Sequence, residues 1–194
     1  MENKNVPSIR FKGFTDDWEQ RKLGEVITNE LKGKAKANMD GLKSVYLDAE
    51  YLNGGKVCYV DSPTDVSTDD VLILWDGSQA GSVYHGFEGA LGSTLKVFKP
   101  KYSGDFLYQF LIRNQEKIYN SYRTPNIPHV IKNFTSEFKI DNPKEEEQNK
   151  IGNFFKQLDE TITLYEREVE LLRITKKGFL QQLFPKTNQL FPNI

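Results

Sequence analysis

The feature that most constrains this chain is a seam of apolar residues in its last quarter. Ile151, Phe155, Leu158, Ile162, Tyr165, Val169, Leu172, Lys176, Phe179 and Leu183 alternate spacings of four and three, the heptad pattern of a helix that pairs with another helix. The chemistry of the ends agrees. Pro143 is expected in a first helical turn, Glu145, Glu146 and Glu147 suit the positive N-terminal end, and Arg173, Lys176 and Lys177 lie toward the negative C-terminal end. At about 1.5 Å per residue, a helix over 143–184 makes a rod of about 60 Å, longer than a small domain can cover. A partner helix is therefore expected, with folding back onto the chain's own domain as the alternative. Lys176 costs stability in such a seam and is expected to help fix its register.

The remainder of the 194 residues suffices for one globular domain. With 38% hydrophobic, 27% charged and 12% aromatic residues, the composition is that of an ordered chain. The expected organisation is an N-terminal lead over 1–20, a mixed domain over 21–142, the long helix over 143–184 and a tail over 185–194. Strand-like runs occur at Ser44–Leu47, Lys56–Val60, Val71–Trp75, Ser82–Tyr84 and Ser93–Phe98, separated by Gly-Gly, Asp-Gly and Pro signals. Gly104–Tyr119 carries Phe106 and Phe110 at helical spacing and reads as one helix packed on those strands. Apolar residues alternate from Phe134 to Ile140, which reads as a strand with Glu137 and Lys139 on its solvent face. The fold class is α+β: one mixed strand and helix domain followed by a long coiled-coil helix.

Several chemistries lack their residues. Neither a signal peptide nor a run of roughly 18 apolar residues is visible, so a cytoplasmic protein without a membrane span is expected. The single cysteine, Cys58, has no companions for a disulfide or a zinc site and reads as buried filler. A DNA methyltransferase needs a glycine-rich loop for its methyl donor and an Asn/Asp-Pro-Pro-aromatic motif for its target amino group. Asn142-Pro143-Lys144 and Pro125-Asn126-Ile127-Pro128 lack the adjacent prolines and read as turns. The segment Asp76-Gly77-Ser78-Gln79-Ala80-Gly81-Ser82 has the glycines of a phosphate cradle without the following Lys, so a tight loop between strands is expected. Glu137-Phe138-Lys139 matches half of a magnesium-dependent nuclease motif, weakly. His85 and His129 stand far apart and read as structural or surface residues. No catalytic residue, metal ligand or bound cofactor is expected.

For nucleic-acid contact the formal charge of -1 is unpromising, although affinity for phosphate depends on how charge is distributed. Basic and amide side chains do cluster. Lys32, Lys34 and Lys36 share one glycine-containing stretch, and Arg113, Lys117, Tyr122, Arg123, Thr124 and Asn126 surround the middle helix and its exit. Lysines position a protein on phosphates, whereas Arg, Asn, Gln and Thr discriminate base edges. The expected contacts are Lys34, Lys36, Ser78, Gln79, Arg123 and Asn126; solvated surface explains each one singly, and only the clustering raises them above it.

A succession of short motifs resembles the type I restriction-modification specificity subunits. Trp18-Glu19-Gln20-Arg21-Lys22-Leu23-Gly24-Glu25-Val26 resembles the entry to that family's target-recognition domain, and Asp70 through Gly81 resembles its central strand and glycine loop. Ile127-Pro128, Ile140-Asp141-Asn142-Pro143, Glu147-Gln148-Asn149-Lys150-Ile151, Leu158-Asp159-Glu160-Thr161-Ile162 and Lys176-Lys177-Gly178-Phe179-Leu180-Gln181-Gln182-Leu183-Phe184 resemble its path into a conserved helix. The resemblance implies a non-catalytic reader of double-stranded DNA that docks methyltransferase subunits, which bring S-adenosylmethionine, and in some complexes an ATP-driven restriction and translocase subunit. Family members usually carry two recognition domains separated by two antiparallel helices, each domain reading one half of a bipartite site. This chain has one of each, which fits either a half-length subunit or a shortened piece. Two copies pairing their helices antiparallel would rebuild the family architecture and imply a palindromic bipartite site. The alternatives are an interaction protein or decoy that occupies methyltransferase subunits without reading DNA, and an autonomous nuclease acting through Glu137.

Overall fold

The computed structural model describes residues 6–184. In chain order its elements are β1 (Glu19–Lys22), α1 (Leu23–Val26), β2 (Ile27–Lys32), β3 (Asp40–Leu47), α2 (Ala49–Leu52), β4 (Tyr59–Val60), β5 (Val71–Leu74), β6 (Val83–His85), β7 (Ala90–Leu91), β8 (Leu95–Pro100), α3 (Gly104–Arg113), α4 (Gln115–Ser121), α5 (Phe134–Glu137), β9 (Lys139–Asn142) and α6 (Glu145–Leu183). They fall into two units divided between Asn153 and Phe154, so the root of α6 belongs to the first unit and the rest of it to the second. The α+β class and the long helix are as expected.

The first unit is built around a strand buried on both faces. Val71, Leu72, Ile73 and Leu74 of β5 are all buried, which is why this run is continuously apolar rather than alternating. It is central in the antiparallel sheet β2-β8-β5-β6. Side chains alternate across a strand, and the two faces of β5 accordingly serve separate cores. Val71 and Ile73 join Phe98, Phe106, Leu107, Phe110, Leu111, Phe134 and Phe138 on the helical side. Leu72 and Leu74 join Leu47, Leu52, Leu91, Leu95 and Val97 on the other. A second sheet, β4-β3-β7, combines an antiparallel and a parallel pairing. In addition, β1 pairs antiparallel with β9, from Glu19 opposite Asn142 to Lys22 opposite Lys139, so the two ends of the domain are tied together.

Three local expectations are corrected. Gly104–Tyr119 is two helices: at Asn114 the amide N–H bonds Leu111 O while the side-chain amide bonds Phe110 O, closing α3 before α4 begins. The run from Phe134 is not one strand, and Glu137 ends the helical turn α5. Both Phe134 and Phe138 are fully buried while Ser136 is exposed. A strand would put Ser136 on the same face as the two rings, whereas a helical turn puts the i and i+4 residues inward and leaves Ser136 out. Cys58 is exposed rather than buried: only Tyr59–Val60 of the expected 56–60 strand forms a ladder, and this edge strand exposes Tyr59 as well.

The start of α6 is held by buried polar chemistry. Pro143 lies just outside the helix, and Lys144 O accepts from Glu147 N and Gln148 N. Glu147, 2% exposed, takes both arms of the Arg10 guanidinium at 2.6 and 2.7 Å and the Trp18 indole N–H at 3.2 Å. Gln148 Nε2 donates to Asn142 Oδ1 and Pro143 O. A charge removed from water needs full pairing, and a forked Arg–carboxylate pair supplies it.

Candidate nucleic-acid interface

The glycine loop between β5 and β6 and the turn that follows α4 are built as one surface. Gly77 and Gly81 have φ of +114° and +96°, backbone conformations that side chains disfavour, and they fold the loop so tightly that Gly81 N bonds Leu74 O at 2.7 Å and Ala80 N bonds Gly77 O at 2.9 Å. From the other side, Gly77 N donates to Pro128 O and Val130 N to Trp75 O. Arg123 Nη1 donates to Ser78 O at 3.2 Å, with the guanidinium 5.1 Å from the Tyr119 ring centre. Tyr119 OH and Ser82 Oγ are 2.8 Å apart, and Gln115 Nε2 donates to Gly81 O at 2.7 Å. The second turn is pinned internally, since Thr124 Oγ1 donates to Ile127 O and accepts from His129 N.

This arrangement leaves Gly77, Ser78 and Gln79 exposed on one loop and Pro125, Asn126 and Ile127 exposed on the other, with Ile127 at 79%. Four of the expected contact residues, Ser78, Gln79, Arg123 and Asn126, are thus brought onto joined loops. Arg123 already bonds the loop and stacks on Tyr119, so it holds the surface in shape while its remaining N–H groups stay available as donors. Lys34 and Lys36 are exposed on either side of buried Ala35, whose segment is hydrogen-bonded to Leu91 and Ser93. Lys32, named in the basic cluster but not among the six expected contacts, pairs with Asp76 at the loop's start, and Ile127 was read only as part of a turn. Lys96, 3.7 Å above the Trp75 ring, is half-buried. An apolar residue set between two prolines, Pro125 and Pro128, was the available signal for Ile127. His129 is part of the turn and His85 is packed against Tyr108.

Of the seam residues, Ile151 is half-buried against the first unit's core. In the second unit Phe155, Leu158, Ile162, Tyr165, Val169, Leu172, Phe179 and Leu183 are between 40% and 75% exposed. Phe154, Leu164, Leu171, Ile174 and Leu180, outside the seam, are exposed as well. Among the described residues no helix is long and apolar enough to cross a membrane.

Fold and surface together define a domain with a hydrogen-bonded two-loop face, and a helical unit whose apolar stripe stands open. The chain belongs to the type I restriction modification DNA specificity domain family, whose model matches residues 15–173. It is 33% identical over 182 residues to the type I restriction enzyme MjaVIII specificity subunit of Methanocaldococcus jannaschii, covering 88% of this chain and 43% of that one. In fold it resembles the type I restriction-modification S subunit of M. genitalium (TM-score 0.63, 22% identity, 88% of this chain and 46% of that one). It also resembles the HsdS subunit of Thermoanaerobacter tengcongensis (TM-score 0.56, 19% identity, 87% of this chain and 44% of that one). The chain therefore spans less than half the length of each of these relatives.

Proposed function

We propose that this chain reads one half of a bipartite DNA site and directs methyltransferase subunits to it, pairing with a second copy through its long helix. The observation that carries this reading is the open heptad seam of α6. A two-fold axis relating two antiparallel copies of α6 would supply the second reader and make the recognised site palindromic. The lead over 1–20, the recognition domain over 21–142 and the helix over 143–184 are the working parts, and the protein acts in the cytoplasm. Double-stranded DNA is met by Ser78, Gln79, Arg123 and Asn126, with Lys34 and Lys36 contributing phosphate contacts. The apolar residues outside the seam, Leu164 and Leu171 among them, support a further partner on the same helix, for which the methyltransferase subunits, carrying S-adenosylmethionine, are the family's candidates. A restriction and translocase subunit would join through that complex. The chain itself supplies recognition and assembly, in keeping with a family that is generally non-catalytic.

Light scattering on the purified chain tests the pairing. A dimer that becomes a monomer on the double substitution Ile162→Asp and Leu172→Asp, with the domain still folded, is the expected result; a chain that is monomeric to begin with overturns the pairing. Removing one heptad between Asp159 and Arg173 tests the helix as a ruler. The preferred spacer between half-sites should shorten, and an unchanged spacer refutes that role.

A further inference from the structure

On the opposite end of β5 from the glycine loop, three metal-ligating side chains from three different segments converge. Asp69 lies just before β5, His85 closes β6, and Asp105 stands in the first turn of α3. One donor atom of each lies within 4.8 Å of the other two. The segments are held together independently of these side chains, because β5 and β6 pair at Val71 and His85. The approach of α3 to the Asp69 backbone is equally fixed, since a Cβ on Gly104 would fall 1.8 Å from Asp69 O.

The orientation of His85 is the informative feature. Its Nδ1 lies 3.0 Å from the backbone oxygen of Asp70, which can only accept, so Nδ1 carries the proton. Its Nε2 then faces Asp105 Oδ1 at 3.1 Å, again an acceptor when ionised. A neutral imidazole has one N–H to give, so its second nitrogen aims a lone pair at a carboxylate. A cation bonded to both groups removes that conflict. Metal-bound histidines characteristically fix the distal N–H on a backbone carbonyl or a carboxylate, which is the arrangement seen here. Tyr108 stacks on the ring at 5.4 Å between centroids and holds its plane. Asp69 Oδ1 accepts from Gly104 N at 3.0 Å, which orients the carboxylate while leaving lone pairs on both oxygens. Nearby Asp70 is already matched by Lys99 at 2.7 Å.

We propose that Asp69, His85 and Asp105 form a binding site for one divalent transition-metal ion. One imidazole and two carboxylates suit a borderline cation held at about 2.0–2.2 Å, with water completing its shell. Two carboxylates and a neutral imidazole offset a doubly charged ion. The ion clasps the β5–β6 hairpin to the start of α3. That start is also where Gly152 of α6 packs, since a Cβ there would lie 2.9 Å from Asp105 Cβ.

The test is titration of the full, tag-free chain with cobalt(II) chloride at neutral pH, read by visible absorption and calorimetry. The proposal expects saturable binding of one ion per chain without thiolate charge-transfer absorption, unchanged in Cys58→Ser. Asp69→Asn and His85→Asn should each weaken it by at least about tenfold, the lower end of what loss of a supporting group costs a metal site. Absence of saturable binding overturns the proposal, as does binding that survives Asp69→Asn or disappears with Cys58→Ser. Should His85→Asn fail to fold, Asp69→Asn decides alone, because that residue is exposed.

Discussion

The same substitution at two positions of one helix should act in opposite directions. Gly152 and Gly178 both lie within α6, and on helix propensity alone Gly→Ala favours the helix by about 1 kcal/mol at each. At Gly178 nothing lies within 4 Å of the added methyl, so that gain should appear undiminished. At Gly152 the new Cβ would stand 2.7 Å from Ser103 Oγ, 2.9 Å from Asp105 Cβ and 2.9 Å from Phe106 N. These atoms belong to the cap and first turn of α3, where Phe106 N is already bonded to Ser103 Oγ at 3.2 Å. They cannot swing aside as the end of a lysine can. Overpacking of this kind costs roughly 1–3 kcal/mol, and rigid backbone on the receiving side places it toward the upper end. Subtracting the propensity gain leaves a net destabilisation of about 1–2 kcal/mol for Gly152→Ala. Urea unfolding followed by tryptophan fluorescence reads this, because Trp18 and Trp75 both report on the first unit. Far-ultraviolet circular dichroism reads the gain in helix at Gly178→Ala. If Gly152→Ala stabilises the domain instead, the close seating of α6 on α3 is wrong.

Other perturbations separate the parts of the account. Phe138→Ala removes a fully buried ring that meets Phe110, Tyr122 and Phe134, and should cost about 3–5 kcal/mol in a denaturant titration; a cost under about 1 kcal/mol would mean that the aromatic core is misassigned. Lys144 hydrogen-bonds Asp16 and holds its carboxyl below the usual value. The stability this lends is complete above the unfolded carboxyl's pKa and is lost as pH falls through the depressed folded one. The melting-temperature difference between the wild type and Asp16→Asn should therefore be constant near neutral pH and close below about pH 4; a difference that widens in acid refutes the pairing. Gln79→Ala should leave melting unchanged and weaken binding to the cognate site by about 1–3 kcal/mol, the value of a good base contact. An equal loss on unrelated DNA would make Gln79 a phosphate contact.

How much could be read from the sequence follows from where the physics is local. The heptad seam is a repeating pattern carried by the residues themselves, and α6 duly spans Glu145–Leu183. The β5 run was legible because burial on both faces writes an unbroken apolar string. Phe134–Ile140 was misread because residues four apart satisfy both a strand period and one helical turn, and only the position of Ser136 against the core decides between them. Asn114 breaks a helix through a side-chain bond that helical periodicity does not encode. The pairing of Arg10 with Glu147 spans the whole first unit, so no local pattern could reveal it. In the candidate interface the loop glycines and the Arg123–Asn126 cluster were visible separately, while their union rests on backbone bonds from Gly77 to Pro128 and from Trp75 to Val130.

The most direct test of sequence reading by a paired half-subunit is the methylation pattern it imposes. Genomic DNA from cells carrying this chain with its methyltransferase subunits, sequenced by a single-molecule method that detects modified bases, should show a bipartite palindromic motif absent without the chain. An assembled complex that leaves no new motif would contradict DNA reading and favour a decoy, and a bipartite motif with unlike halves would contradict pairing of two identical copies.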